Sequence, residues 1–431
     1  MRVLVLGAYG FIGLAIARQL CEAGHDVIGL GRDAETGKRF LPDIAWIEAD
    51  LGLLGSVEAW SPHLIGIDAV VNASGALQDG ARDKLAAVQR DAIQALVSAC
   101  ERHSVRVFVQ ISAPGAAPDA DTVFMRTKGE ADRTLMRSQL EWFILKPGLV
   151  IGANAYGGTA LLRMLAGLPS AQALVLADAK IQTVALNDVA AAVGSCLDGQ
   201  VPARREFDLV SDEVLTLREL VSLLRRWLGL PRARVTLELP TAAGHAIARL
   251  ADLAGWLGWR SPLRTTALRV LGRDILGDPA PWRDAGGCSL LTIRATLAAL
   301  PSTLQERVFA RSQLIFPVLV TVLSLFWLFS GLIALWQWRH AAAVLPGWLP
   351  AGLSVGLVIG GAILDIAIGI GLLLRRWLAT SAIAAIAVSL IYLSAGTILT
   401  PALWADPLGP FVKVLPGIGL ALAVLALAEE R

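Results

Sequence analysis

The chain is short of charge, cysteine, histidine and tyrosine, and each shortage removes a class of function. Only 17% of its 431 residues are charged and 55% are hydrophobic, against roughly 25% and under 50% for ordinary soluble domains, so disorder is excluded. Lys and Arg number 38 against 36 Asp and Glu, for a net charge of +2. No basic run is long enough to follow a phosphate backbone, so nucleic acid is not an expected partner. The cysteines Cys21, Cys100, Cys196 and Cys288 stand far apart without CxxC or CxxH spacing. Neither a structural zinc site nor a disulfide framework is expected, and the main body is assigned to a reducing compartment. The 5 histidines are isolated from one another, and no HxxxH or nearby Asp/Glu grouping makes a metal site.

The scarcity of charge is uneven. After Ala310 the charged residues are Arg311, Arg339, Asp365, Arg375, Arg376, Asp406, Lys413, Glu429, Glu430 and Arg431, and all others come earlier. Four apolar stretches fill this tail: Leu314 to Trp336, Ala351 to Leu374, Leu378 to Leu399, and about Leu408 to Ala428. Each approaches the ~20 residues with which a helix crosses a bilayer. Trp336, Trp338, Trp348, Trp377 and Trp404 stand at their ends, where amphipathic rings favour the interface, and prolines break the loops. Four spans put both termini on one side. Arg307, Arg311 and the pair Arg375-Arg376 favour the inside for that side, in a bacterial inner membrane with the N-terminal part cytoplasmic. Asp365, near the middle of the second span, is expected to face the bundle and to pair with polar groups such as Thr397 or Ser389.

The N-terminus reads as strand, glycine loop and helix in preference to a signal peptide. Arg2 to Leu6 is a Val/Leu strand, and Gly7-Ala8-Tyr9-Gly10-Phe11-Ile12-Gly13 precedes an amphipathic run from Leu14 to Glu22. Gly7 permits the tight turn, Gly10 admits a pyrophosphate to backbone N–H groups, and Gly13 lets the helix approach the strand. Further strands are expected at Asp26 to Leu30, Ile44 to Glu48, Ala69 to Asn72 and Val105 to Ile111, separated by helical segments. The fold class that follows is α/β, a Rossmann-type doubly wound parallel sheet, followed by an all-α domain of four transmembrane helices. The divisions expected are 1–210, a small mostly helical lobe with linker at 211–310, and 311–431. In the lobe, Thr216 and Glu219 form a capping box for a helix Leu217 to Leu228. A second striped helix from Thr241 to about Leu257 is expected to pack into the core rather than lie on a membrane.

The glycine motif, Asp50-Leu51, Asn72-Ala73-Ser74-Gly75, Ser112, Lys146-Pro147-Gly148 with Gly152, and Asn187-Asp188-Val189 resemble the extended and atypical short-chain dehydrogenase/reductases. Within them the chain is most similar to the NmrA-like and complex I 39-kDa-subunit-like branch. The tail resembles the DoxX-like family through the Asp365 span and the run from Trp404 to Pro410 with Lys413. The resemblance implies that Asp50 and Leu51 contact the adenine end of a bound NAD(P). It lays Ala73, with Ser74, along the cofactor and puts Ser112 and Lys128 near the nicotinamide. With Gly7, Tyr9, Gly10, Phe11, Ile12, Gly13, Arg32 and Pro147 these make the candidate cofactor site, and Ser112 and Lys128 are the catalytic candidates.

One departure stands out. Where the family carries a proton-transferring Tyr four residues before the Lys, this chain has Phe124. The 3 tyrosines, Tyr9, Tyr156 and Tyr392, lie elsewhere. Cofactor binding is therefore expected to survive while the usual proton relay is lost. Arg32, after the second strand, favours NADP, while the neighbouring Asp33 keeps NAD open. Two functions remain open. One is a membrane-anchored NAD(P)H-dependent oxidoreductase of a lipophilic carbonyl or quinone-like substrate. The other is a non-catalytic dinucleotide-binding redox sensor, or an assembly subunit with a membrane protein partner.

Overall fold

The computed structural model describes residues 1–75, 85–155, 157–259, 265–407 and 409–428. Tyr156, Leu408 and the charged end at 429–431 lie outside the described residues. The chain forms two compact units, Met1–Asp252 with Ser261–Arg307, and Leu253–Arg260 with Val308–Arg431.

In the first unit, strands β1 (Arg2–Leu6), β2 (Asp26–Gly31), β3 (Ala45–Glu48), β4 (Ala69–Asn72), β5 (Val107–Ile111), β6 (Glu141–Pro147) and β7 (Arg205–Leu209) make one sheet. Its order is β7-β6-β5-β4-β1-β2-β3 and every pair is parallel. The alternation within β1 shows why. Val3 and Val5 join one core with Ile16, Leu20, Val189 and Val193, and Leu4 and Leu6 join the other with Ile93, Leu96 and Leu135. A strand apolar on both faces needs cover on both, and helices such as Phe11–Glu22, Ala92–Arg102 and Leu186–Leu197 supply it. The order reverses between β1 and β4, which opens a crevice at their carboxyl ends.

Of the segment 211–307, residues 211–252 and 261–307 belong to this same unit and 253–260 to the second. The capping box forms as expected, with Thr216 Oγ1 accepting from Glu219 N and Glu219 accepting from Thr216 N, and it opens the helix Leu217–Trp227. The helix Thr241–Trp256 corrects the expectation of core packing. Its buried face holds Gly244 and Ala248, and a Cβ on Gly244 would come within 2.7 Å of Val175. Only small residues allow that approach, so the large apolar ones are turned outward.

The second unit is helical. Leu304–Trp336, Ala351–Leu373 and Arg375–Leu399 are long and apolar enough to cross a membrane. The last helix, Val414–Leu427, has 14 residues, about 21 Å at 1.5 Å per residue, so it is shorter than the fourth span expected. Gly409, at positive φ, and the turns through Lys413 occupy the first part of that stretch. Ser324 Oγ donates to Gly369 O at 2.7 Å, and a Cβ on Gly331 would meet Ala362 O at 2.5 Å, so the first two helices run antiparallel at close range. Arg375 Nη2 donates to Ala428 O at 2.5 Å, which returns the last helix to the Arg375 turn.

Asp365 is buried, as expected, but with other partners. Ser330 Oγ donates to Oδ2 at 2.9 Å and Tyr392 OH to Oδ1 at 3.0 Å, which ties three helices together. Thr397 is not the partner, because its hydroxyl donates back to Leu393 O one turn earlier.

Candidate functional site

The glycine loop is fixed by contacts that no side chain could share. Gly7 has φ +69°, and a Cβ on it would lie 3.1 Å from Ser74 Cα; a Cβ on Gly13 would lie 2.2 Å from Gly7 O. Gly10 N donates to Gly7 O at 2.8 Å, and Gly10 caps the helix Phe11–Glu22 without a side-chain hydrogen bond. The first N–H groups of that helix, from Phe11, Ile12 and Gly13, therefore meet no capping side chain. Together with the helix dipole they suit a pyrophosphate. This cradle, filled by any Cβ, is the feature that fits a dinucleotide.

On the β2–β3 side, a Cβ on Gly31 would meet the Tyr9 ring at 2.2 Å, so Tyr9 lies over the carboxyl end of β2, 6.0 Å from the Trp46 ring. Arg32 is exposed. Asp33 is engaged locally: it caps the helix Ala34–Phe40 by accepting from Thr36 N at 2.9 Å and Thr36 Oγ1 at 2.6 Å. These bonds hold its carboxyl below the usual range. Asp50 accepts from Gly52 N at 2.9 Å, and Leu51 is buried beside it.

Beyond the crevice the candidates form a connected line. Gly7 touches the Ala73-Ser74 backbone, and a Cβ on the next residue, Gly75, would lie 3.8 Å from Lys128 Nζ. Lys128, in the helix Val123–Met136, donates to Ile111 O at the end of β5 at 2.8 Å. Its Nζ lies 5.7 Å from the centroid of the Phe124 ring. Asn72 donates to Gln110 at 2.9 Å and so locks the ends of β4 and β5 together.

Asp132 was missed from sequence. It lies one turn beyond Lys128 on the same helix face, it is buried, and Ser112 Oγ donates to its Oδ2. The i, i+4 spacing to Lys128 was the available signal. With its hydroxyl proton given to Asp132, Ser112 offers lone pairs to other groups. Burial raises the Asp132 carboxyl to about 6, against the pull of Ser112 and Lys128, and pushes the Lys128 ammonium below its ordinary value.

An unfolded-chain carboxyl ionises near pH 4, so between about pH 4 and pH 6 the folded protein holds more protons than the unfolded one. Stability attributable to Asp132 therefore falls as pH rises through that window, by roughly 2 to 3 kcal/mol in all. Asp132→Asn should remove this slope. Thermal midpoints of variant and parent, compared from about pH 4.5 to about pH 7, should shift in favour of the variant as pH rises. A constant difference would refute the assignment.

The remaining candidates are structural neighbours of the crevice. Pro147 ends β6, buried, and pairs with Leu209. A Cβ on Gly152 would meet Phe11 at 3.3 Å, which brings the segment after β6 to the start of the glycine-loop helix. Asp188 accepts from Leu291 N at 2.7 Å. A cavity of about 260 Å³ is lined by residues that include Asp121, Thr122, Val175, Thr241, His245 and Arg273. Thr122 caps the helix that carries Phe124 and Lys128, though neither of these nor Ser112 lines the cavity. Among the described residues no group of three or more His, Cys, Asp or Glu is arranged to hold a metal.

Residues 7–198 match the NAD(P)H-binding family and residues 324–422 match the DoxX-like family. The photosystem II assembly factor Ycf39 of Synechocystis is 33% identical over 151 residues, 34% of this chain and 44% of that protein. The (4-alkanoyl-5-oxo-2,5-dihydrofuran-3-yl)methyl phosphate reductase of Streptomyces griseus is 28% identical over 229 residues, 53% of this chain and 74% of the reductase. The chain spans less than half the length of two of the curated relatives it matches. Among solved structures, the Bordetella bronchiseptica enzyme WbmH in complex with NAD+ shares the fold. Its TM-score is 0.52 at 20% identity, with 69% of this chain and 96% of that chain covered.

Proposed function

From a chain that joins an NAD(P)-binding reductase-like domain to a DoxX-like membrane domain, we propose a membrane-tethered NAD(P)H-dependent oxidoreductase of a lipophilic carbonyl or quinone-like substrate. The observation that carries this reading is the line from the Gly7–Gly13 cradle through Ala73, Ser74 and Gly75 to Lys128. It supports a dinucleotide stretched along the carboxyl ends of β1, β4 and β5, with its reactive end at the lysine. When bound, the nicotinamide supplies a hydride. The chain's own residues hold the rest: Lys128 is fixed on Ile111 O, Ser112 is oriented by Asp132, and Asp50 with Leu51 borders the adenine end. Reduction of a C=O group then consumes one proton. Phe124 has none to give, so the proton comes from water or from a group other than a tyrosine.

A second reading is favoured by Phe124 itself and by the likeness to a protein named as an assembly factor: a dinucleotide-binding sensor or assembly subunit without turnover. Anaerobic titration of the purified protein with NADPH, followed by a panel of quinones and aldehydes, separates the two. Binding with oxidation supports the first and binding alone the second.

NADP is the preferred cofactor in this proposal. Asp33 accepts from Thr36 with both carboxylate oxygens, and Arg32 puts an exposed basic side chain at the end of β2. NADPH should bind tighter than NADH, and Arg32→Ala should erase most of the preference by removing a charge-assisted contact of about 1.5 to 3 kcal/mol. Equal affinities in the parent would sink the assignment.

The proposed topology keeps both ends of the membrane unit on the cytoplasmic side of a bacterial inner membrane. Ala428 and the Arg375 turn share one end of the bundle, and Arg375 and Arg376 belong inside. A reporter active only in the cytoplasm, fused after Arg431, should give signal, and one active only in the periplasm should not. The reverse pattern would overturn the arrangement.

A further inference from the structure

The helix Thr241–Trp256 buries only small residues and leaves its large ones uncovered. Leu250 is 67% exposed, Leu253 63% and Trp256 88%, and Ile247 and Leu257 are exposed as well. The spacing 247, 250, 253 and 257 sets the aliphatic side chains on one helical face, opposite Gly244 and Ala248. Arg249, His245 and Asp252 flank that face on one side. Such an outer surface in water would be a costly apolar patch.

The end of the helix shows what covers it. Within the second unit, Leu257 O accepts from Arg375 N at 3.0 Å and Trp259 Nε1 donates to Leu373 O at 2.7 Å. The Arg375 guanidinium lies 5.5 Å from the Trp259 ring. Leu373 ends one candidate membrane span and Arg375 starts the next. Leu257 and Trp259 are therefore pinned where the spans leave the hydrocarbon, among the Arg375, Arg376 and Trp377 side chains that favour the headgroup layer. The helix ends at that level. Leu253 lies about 6 Å and Leu250 about 10 Å along the axis from Leu257.

We propose that the helix Thr241–Trp256, continued by Leu257, is an interfacial helix that lays its Ile247, Leu250, Leu253 and Leu257 face into the headgroup layer of the membrane. Its composition suits that position, with aliphatic side chains toward lipid and Arg249 and Trp256 at the flank. The contact goes beyond the proposed oxidoreductase activity and does not depend on it.

The test uses the full-length protein in nanodiscs of phosphatidylethanolamine and phosphatidylglycerol. Single cysteines at Ile247→Cys, Leu250→Cys and Leu253→Cys are labelled with bimane in a Cys21→Ser, Cys288→Ser background, with buried Cys100 and Cys196 left in place. Lipids brominated near the carbonyl end of the chain should quench most of the emission at all three positions. They should quench none at Leu53→Cys, an exposed position of the first unit. Quenching confined to Leu253, or equal quenching at Leu53, would overturn the proposal. So would blue-shifted emission at Leu250 without bromine quenching, which would mean that a protein, including a second copy of this chain, covers the face.

Discussion

Phe124→Tyr should raise carbonyl reduction by this protein by about 10² to 10⁴ in rate, the usual worth of a positioned general acid. The helix Val123–Met136 puts Phe124 one turn before Lys128, with Nζ 5.7 Å from the ring centroid. A hydroxyl added to that ring puts a phenol beside the lysine, whose position is fixed by its bond to Ile111 O. The positive charge of the lysine lowers the pKa of such a phenol and readies it for proton transfer. NADPH affinity should hardly change, because the glycine cradle and the Asp50 turn are untouched. The measurement is kcat/KM for a panel of aldehydes and ketones in parent and variant, with NADPH binding recorded alongside. A gain in the variant supports hydride transfer beside position 124, and turnover of a quinone or aldehyde by the parent then separates the oxidoreductase from the sensor or assembly reading. If the parent already reduces a carbonyl briskly and the variant matches it, the proton arrives by another route and the site lies elsewhere.

What could be read from the residues alone follows their periodicity. The β1 to β5 strands and the loop between Gly7 and Gly13 were legible because a parallel strand is apolar on both faces and a dinucleotide turn requires glycine at fixed places. Other features depend on long-range packing, which spacing does not encode. Asp132 has no motif of its own, and it matters because the fold buries it against Ser112, 20 residues earlier. The partners of Asp365 lie 35 and 27 residues away on two other helices, while the expected candidate Thr397 satisfies itself within its own helix. The Thr241–Trp256 stripe has the period of a core helix, but Gly244 and Ala248 decide which face goes in. Hydrophobic periodicity identifies an amphipathic face without saying whether protein or lipid covers it.

Gly13→Ala should cost roughly ten- to a hundredfold in dinucleotide affinity, because a Cβ there meets backbone that cannot step aside. The intruding methyl would lie 2.2 Å from Gly7 O, 2.8 Å from Gly7 C and 3.2 Å from Ala8 Cα. Relief requires the loop to open or the helix Phe11–Glu22 to move off β1, and either displaces the N–H groups that form the cradle. Alanine is also the better helix former by about 1 kcal/mol, which works against this loss. Overpacking costs about 1 to 3 kcal/mol, and backbone contacts lie at the upper end, so the clash wins. Gly194→Ala is the matched control. It is also helical, in Leu186–Leu197, but a Cβ there has nothing within 4 Å, so it should stabilise the unit by about 0.5 to 1 kcal/mol and leave binding alone. Thermal midpoints of the two variants should therefore move in opposite directions, and NADPH affinity should fall in Gly13→Ala alone. Parent-like affinity in Gly13→Ala would mean that the loop does not hold the cofactor.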